Sequence, residues 1–199
     1  MRKMILIGLS TFALCGCVAE SVAGSLECNT ESSQETASEL ASKPLPVRSG
    51  PQIQTSGRVP HVQVGVEPAD EVNQELLRLA FTLPNVEKRL TVVSLAGAIG
   101  MWLSEGVPVA NPKAIVSGRE FAHIHTDGSL HVPLPLDRAL ELQQKGWGER
   151  HPWADRRDGW EGLVMLYSAD TQAELATVIQ LITESYNHVT GLSVQTPRC

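Results

Sequence analysis

Residues 114–134 place Asp127-Gly128 between two runs in which apolar and polar residues alternate, and no other stretch narrows the fold as much. Alternation with period two describes a strand with one buried face, and an Asp-Gly pair between two such runs marks a tight hairpin. The register then decides the chemistry, because a slip of one residue sends every side chain to the opposite face. A two-residue Asp127-Gly128 loop would set His125 against Leu130 and Ile124 against His131, mixing imidazole with aliphatic groups on both faces. A three-residue Thr126-Asp127-Gly128 loop with Gly128 left-handed separates them. Ala122, Ile124, Leu130, Val132 and Leu134 then share a core face, while Phe121, His123, His125, Ser129 and His131 share the other. The second register is the one expected, with His123 opposite His131.

Three of the six histidines thus fall within nine residues on one sheet face. Opposed residues lie roughly 5 Å apart at Cβ, close enough for a proton relay, a metal or a polar ligand pocket. His123, His125 and His131 are the candidate catalytic residues, as general bases. Phe121 and Ser129 share their face and are candidate ligand contacts. A His-x-His strand with a third histidine opposite can offer three neutral nitrogens to a metal, but that spacing is common and no cysteine joins it, so no metal ligand is assigned. Downstream, Trp147, His151, Trp153 and Trp160 cluster after a short helical pattern. Trp147 and His151 are expected to wall the pocket, and Trp153 and Trp160 to pack against the domain. Neither a G-x-S-x-G elbow nor a G-x-x-x-x-G-K-[ST] phosphate loop is present, which sets aside serine hydrolases and P-loop nucleotidases.

The rest of the pattern predicts an α+β domain, its sheet mainly antiparallel with helices packed on one face. Val62, Val64 and Val66 alternate as in a short strand, and Val72, Leu76, Leu79, Ala80 and Leu83 recur at helical spacing. Strands are expected over 86–94, 98–103 and 163–167, a helix over 136–145, an irregular loop over 146–152, and a final amphipathic helix marked by Leu175, Val178, Ile179, Ile182 and Tyr186 that ends near Gly191. With 199 residues, 42% of them hydrophobic, the chain suits one folded domain, placed at 58–191 with a tail at 192–199. The net charge of −6, with no run of more than two basic residues, leaves nothing to build a nucleic-acid-binding face from.

Ahead of the domain, Met1-Arg2-Lys3 is a basic start, residues 4–14 are mostly apolar, and Leu14-Cys15-Gly16-Cys17 follows at once. That order resembles a bacterial lipobox: 1–16 would be the signal peptide and Cys17 the lipidated mature N-terminus. Val18 stands where aspartate would favour inner-membrane retention, so the resemblance implies the periplasmic face of the outer membrane, with the lipid anchor as the attachment. The alternative is a soluble periplasmic or secreted protein cleaved after Ser21-Val22-Ala23. Loss of Arg2 and Lys3 takes the charge from −6 to −8. Cys28 and Cys199 are then the two free thiols, a candidate disulfide or two spare thiols. Residues 17–57 carry five Glu beyond Cys17, many Ser and Thr, and a Pro-bearing stretch without apolar periodicity, the composition of a flexible linker.

Arg119-Glu120-Phe121-Ala122-His123-Ile124-His125, Asp127-Gly128-Ser129-Leu130-His131, Gly146-Trp147-Gly148-Glu149, His151-Pro152 and Tyr167-Ser168 together resemble the luciferase-like domain family, named for the fungal luciferases and frequent in bacterial proteins. The resemblance is best over 119–188. Fungal members oxidise a hydroxylated pyrone with molecular oxygen, without flavin or metal. The resemblance therefore implies a cofactor-independent oxygenase acting on a small enolic or aromatic compound, with His123, His125 or His131 as base. Light emission is not expected of an exported chain. Two other readings stay open: an envelope lipoprotein that binds a small ligand or a protein without catalysis, and a histidine-ligated metal protein or metalloenzyme.

Overall fold

The computed structural model describes residues 43–197; Cys17, Cys28 and Cys199, and with them the lipidation and disulfide expectations, lie outside the described residues. In chain order the elements are α1 (Asp70–Ala80), β1 (Val86–Leu90), β2 (Ile99–Leu103), a 3-10 turn (Pro112–Ala114), β3 (Glu120–Ile124), β4 (Leu130–Pro133), α2 (Leu136–Gln144), β5 (Gly148–Arg150), β6 (Leu163–Leu166) and α3 (Gln172–Thr190). The six strands among the described residues form one sheet in the order β1-β2-β3-β4-β6-β5, and every neighbouring pair is antiparallel. This is the expected α+β architecture.

The hairpin has the expected register. His123 pairs with His131 and Ile124 with Leu130. The His125 N–H donates to Ser129 O at 2.8 Å, and Gly128 turns the chain at φ 82, a conformation that favours glycine. Ile124, Leu130 and Val132 point into one core with Leu76 and Leu79 of α1, Leu142 of α2, and Leu175, Ile179 and Ile182 of α3. α3 is fixed at both ends: Thr171 accepts the Glu174 N–H at 3.2 Å, and Gly191 closes the helix in the left-handed conformation at φ 73. Its apolar stripe lies on the aliphatic side of the sheet, which leaves the histidine side for a site.

The strand expected over 86–94 ends at Leu90, and the hairpin arm expected from Ala114 begins only at Glu120. Three further expectations change. The segment 62–66 is not a strand: Gln63 makes an isolated bridge with Thr55, and Val64 is exposed, because the chain here turns back on itself instead of joining the sheet. The expected loop 146–152 contains β5, an edge strand of only three residues with no apolar alternation to announce it. Its first residue must be glycine, since a Cβ on Gly148 would lie 2.0 Å from Met165 O across the ladder. Residues 43–57, read from composition as linker, pack against the domain. Leu45 is buried in the core and its N–H donates to Glu141 (2.9 Å). Arg48 donates its backbone N–H to Lys145 O (2.9 Å) and pairs with Glu174 (3.1 Å).

Candidate functional site

β3 does not alternate cleanly, and the irregularity composes the site. Met101 pairs with Ala122 but Trp102 with Glu120, so Phe121 is an extra residue in the ladder, a β-bulge. The bulge turns Phe121 away from the histidines and into the core, where its ring lies 6.0 Å from that of Tyr186. It turns Glu120, buried, onto the histidine side, 3.4 Å from His123 Nδ1. The assignment of Phe121 as a ligand contact is therefore corrected.

On that side His123, His125 and His131 come together as expected, and two further imidazoles join them. His131 is the hub: ring centroids lie 5.0 Å away for His123, 4.8 Å for His125, 4.7 Å for His151 and 5.2 Å for His61. The cluster borders a cavity of about 230 Å³ whose remaining wall is largely apolar, with Val93, Leu95, Val116, Trp153 and Leu163. His151 lines this cavity as expected. Trp147 does not: it is buried in the core, and its indole N–H donates to Pro46 O at 2.7 Å. Trp153, expected only to pack, does line it, with its ring 5.5 Å from that of His151. Ser129 is not a cavity residue either; it stands behind His125 as a hydrogen-bond partner.

The hydrogen bonds assign the tautomers of the neutral imidazoles. Ser129 Oγ gives its one proton to Asp127 Oδ1 (2.7 Å), so it accepts from His125 Nδ1–H (2.9 Å) and leaves His125 Nε2 bare. Glu149 accepts from His61 Nε2–H (2.7 Å), so His61 Nδ1 accepts from His131 Nε2–H (3.2 Å), and His131 Nδ1 is bare. His123 donates Nε2–H to the bare His131 Nδ1 (2.9 Å), and its Nδ1 lies 3.4 Å from the Glu120 carboxylate. His151 differs. Its Nδ1 accepts the Trp153 backbone N–H (3.1 Å), which makes Nε2–H a donor. Two sets of three histidines have nitrogens close enough for a common ion, His123/His125/His131 and His61/His131/His151, with ligand atoms all within 4.8 Å of one another.

Electrostatics keep the centre neutral and its edges anionic. Burial first, and then the neighbouring His123 against the opposing pull of Asp127, hold His125 down at about 4. Burial and then neighbouring histidines hold His131 well below its usual range and bring His151 to about 4. Burial alone would raise Glu120 and Glu149. Hydrogen bonds outweigh it: His123, Thr91 and the Val92 N–H at Glu120, and Thr55, His61 and Tyr167 at Glu149, keep both carboxyls below their ordinary value. Burial and the Glu149 charge in turn raise the Tyr167 phenol to about 12.

Sequence reasoning missed His61, Glu120 and Glu149. His61 lies 70 residues before its partner His131, in a Pro-flanked stretch without periodicity. Glu120 was hidden by the bulge, and Glu149 by the unrecognised edge strand β5.

Fold and site together define an α+β domain whose sheet carries a buried five-histidine pocket flanked by two carboxylates. Residues 118–185 match the luciferase domain family, a segment that runs from β3 into α3 and holds four of the five clustered histidines. The chain is 32% identical over 167 residues to a luciferase of Armillaria gallica and to one of Armillaria ostoyae, an alignment that covers 74% of this chain and 62% of each relative. A luciferase of Neonothopanus nambi is 30% identical over 107 residues, 47% of this chain and 39% of the relative. The chain thus contains a luciferase-like domain, matched over residues 118–185. It spans about three fifths of the length of the Armillaria relatives. No solved structure matches the chain.

Proposed function

We propose that this chain is an exported lipoprotein, anchored through Cys17 at the periplasmic face of the outer membrane, whose domain oxidises a small enolic or aromatic compound with dioxygen. The observation that carries the catalytic part is the convergence of five imidazoles on one small, otherwise apolar cavity. A ring compound would lie against Val93, Leu95, Val116 and Leu163 and turn its acidic group toward the histidines. The substrate hydroxyl loses its proton, the electron pair at the enolate carbon reduces O₂ and forms a C–O bond while the C–O of the enolate becomes a carbonyl, and the proton returns to the distal oxygen to give a hydroperoxide. An enol plus O₂ yields a hydroperoxy ketone, so no outside reductant is required. The inner nitrogens of His123, His125 and His131 face the acidic group, and the His151 N–H can donate to the oxyanion that develops. His125, held near 4, is a weak base, which suits substrates that are themselves acidic, enols and phenols.

Oxygen-electrode assays of the purified chain against hydroxylated pyrones and catechols test this. Uptake with at least one compound is expected, falling by about a hundredfold or more in His125→Gln. Uptake that survives replacement of His123, His125 and His131 in turn would sink the catalytic role of the cluster; no uptake from any compound would favour the non-catalytic binding lipoprotein. The anchor is tested separately. Palmitate labelling and outer-membrane fractionation should both be lost in Cys17→Ala, and labelling that persists would refute the anchor.

A further inference from the structure

We infer that His123 Nε2, His125 Nε2 and His131 Nδ1 bind one divalent transition-metal ion at the floor of the cavity. The hydrogen-bond pattern carries the inference. In each of the three rings the nitrogen facing away from the common point is occupied: His123 by Glu120, His125 by the Ser129–Asp127 pair, and His131 by His61, itself held by Glu149. Ligating histidines show this arrangement, in which a carboxylate or hydroxyl fixes the outer N–H and aims the inner lone pair.

The inner nitrogens converge. His123 Nε2 and His131 Nδ1 lie 2.9 Å apart, and one nitrogen from each of His123, His125 and His131 lies within 4.8 Å of the other two. The proton that the first pair shares leaves when an ion binds, because ligating imidazoles bind through their lone pairs. A tetrahedral ion on bonds of about 2.0–2.1 Å holds its nitrogens roughly 3.3 Å apart, so small side-chain movements bring the three onto one ion.

Neutral imidazole ligands select Zn, Fe, Co, Ni or Cu over Mg and Ca. The second histidine set is less suited, because His151 presents Nε2–H to it and both His61 nitrogens are engaged. All three proposed ligands line the cavity, so the ion keeps positions open to a bound molecule, the mark of a catalytic rather than a structural site. Its binding stands on this geometry alone; only its use in the reaction rests on the oxygenase reading, where the ion, held by these three nitrogens, would itself acidify a bound enol in place of their action as bases.

The test is metal binding by the full chain, purified without a polyhistidine tag and stripped with chelator. Titration with Co²⁺, followed by visible absorption, and competition with Zn²⁺ should give one equivalent per chain, and Zn²⁺ should raise the unfolding temperature of the wild type by several degrees. Affinity should fall by about a hundredfold or more in His123→Gln and His125→Gln, and by about tenfold in Ser129→Ala, which removes only an outer hydrogen bond. In His151→Gln it should stay within about threefold. Absence of stoichiometric binding and of any thermal shift in the wild type would overturn the inference. So would binding lost in His151→Gln and kept in His123→Gln, which would move the ion to the other set. Neither substrate nor oxygen enters these measurements, so failure of the metal site and failure of the oxygenase reading are told apart.

Discussion

A chain that begins at residue 58 should unfold at markedly lower denaturant than one that begins at residue 43, with a loss of about 4 kcal/mol or more. Residues 43–57 have the composition of a tether but contribute contacts that the domain does not replace. Leu45, 3% exposed, fills a place in the core, and burial of one leucine contributes about 2 kcal/mol. Its N–H and the Lys43 carbonyl engage Glu141 and Arg138, and Arg138 is itself buried between Glu184 (2.7 Å) and Glu141 (2.5 Å). Arg48, whose side chain is 5% exposed, pairs with Glu174 beside the start of α3. Without the segment, Trp147 loses the carbonyl that accepts its indole N–H, a further 1–3 kcal/mol by order of magnitude. Against a total stability of about 5–15 kcal/mol the combined loss is large. Urea denaturation of the two chains followed by tryptophan fluorescence reads it, and Leu45→Ala, expected to cost about 2–3 kcal/mol, separates the core contact from the polar ones. Equal midpoints for the two chains would mean that the segment only lies on the surface.

What the sequence discloses depends on whether the determining contacts are local. The hairpin is legible because its alternation, its Asp127-Gly128 turn and the sorting of aliphatic from imidazole side chains lie within one short window, and the register follows from them. Three of the five histidines come with it. Alternation misplaces Phe121 for the same reason it makes the hairpin readable: it assumes one residue per ladder step, and the bulge at Phe121 breaks that count without marking it in the residue types. Trp147 reads as a pocket wall because β5 has three residues and no apolar rhythm, so nothing local shows that the chain re-enters the sheet there and turns the indole inward. His61 and the segment 43–57 are non-local. They are held by Glu149, His131, Lys145 and Glu174, roughly 70 to 130 residues away, through carbonyls and single side chains to which composition is blind.

In the metal-free chain, kept so by chelator, stability should fall steeply as pH drops from 6.5 toward 4. His125, His131, His151 and His188 are all held below their ordinary value of 6.5, mainly by burial. Above pH 6.5 these rings are neutral in both folded and unfolded chains and the difference vanishes. Below it the unfolded chain takes up protons that the folded chain refuses, so the unfolded state gains and stability declines until the folded values are reached. For His125, a drop from 6.5 to about 4 corresponds to about 3 kcal/mol, at roughly 1.4 kcal/mol per unit. The others add to the slope, which should approach several protons per molecule. Calorimetric unfolding temperatures at half-unit steps of pH measure it. His131→Leu removes one of the titrating rings and should flatten the slope by about one proton while losing the hub of the cluster, a result that a general acid weakness of the fold would not produce. A wild-type midpoint that is flat between pH 6.5 and 4 would mean that the imidazoles reach solvent and that the centre is not dry.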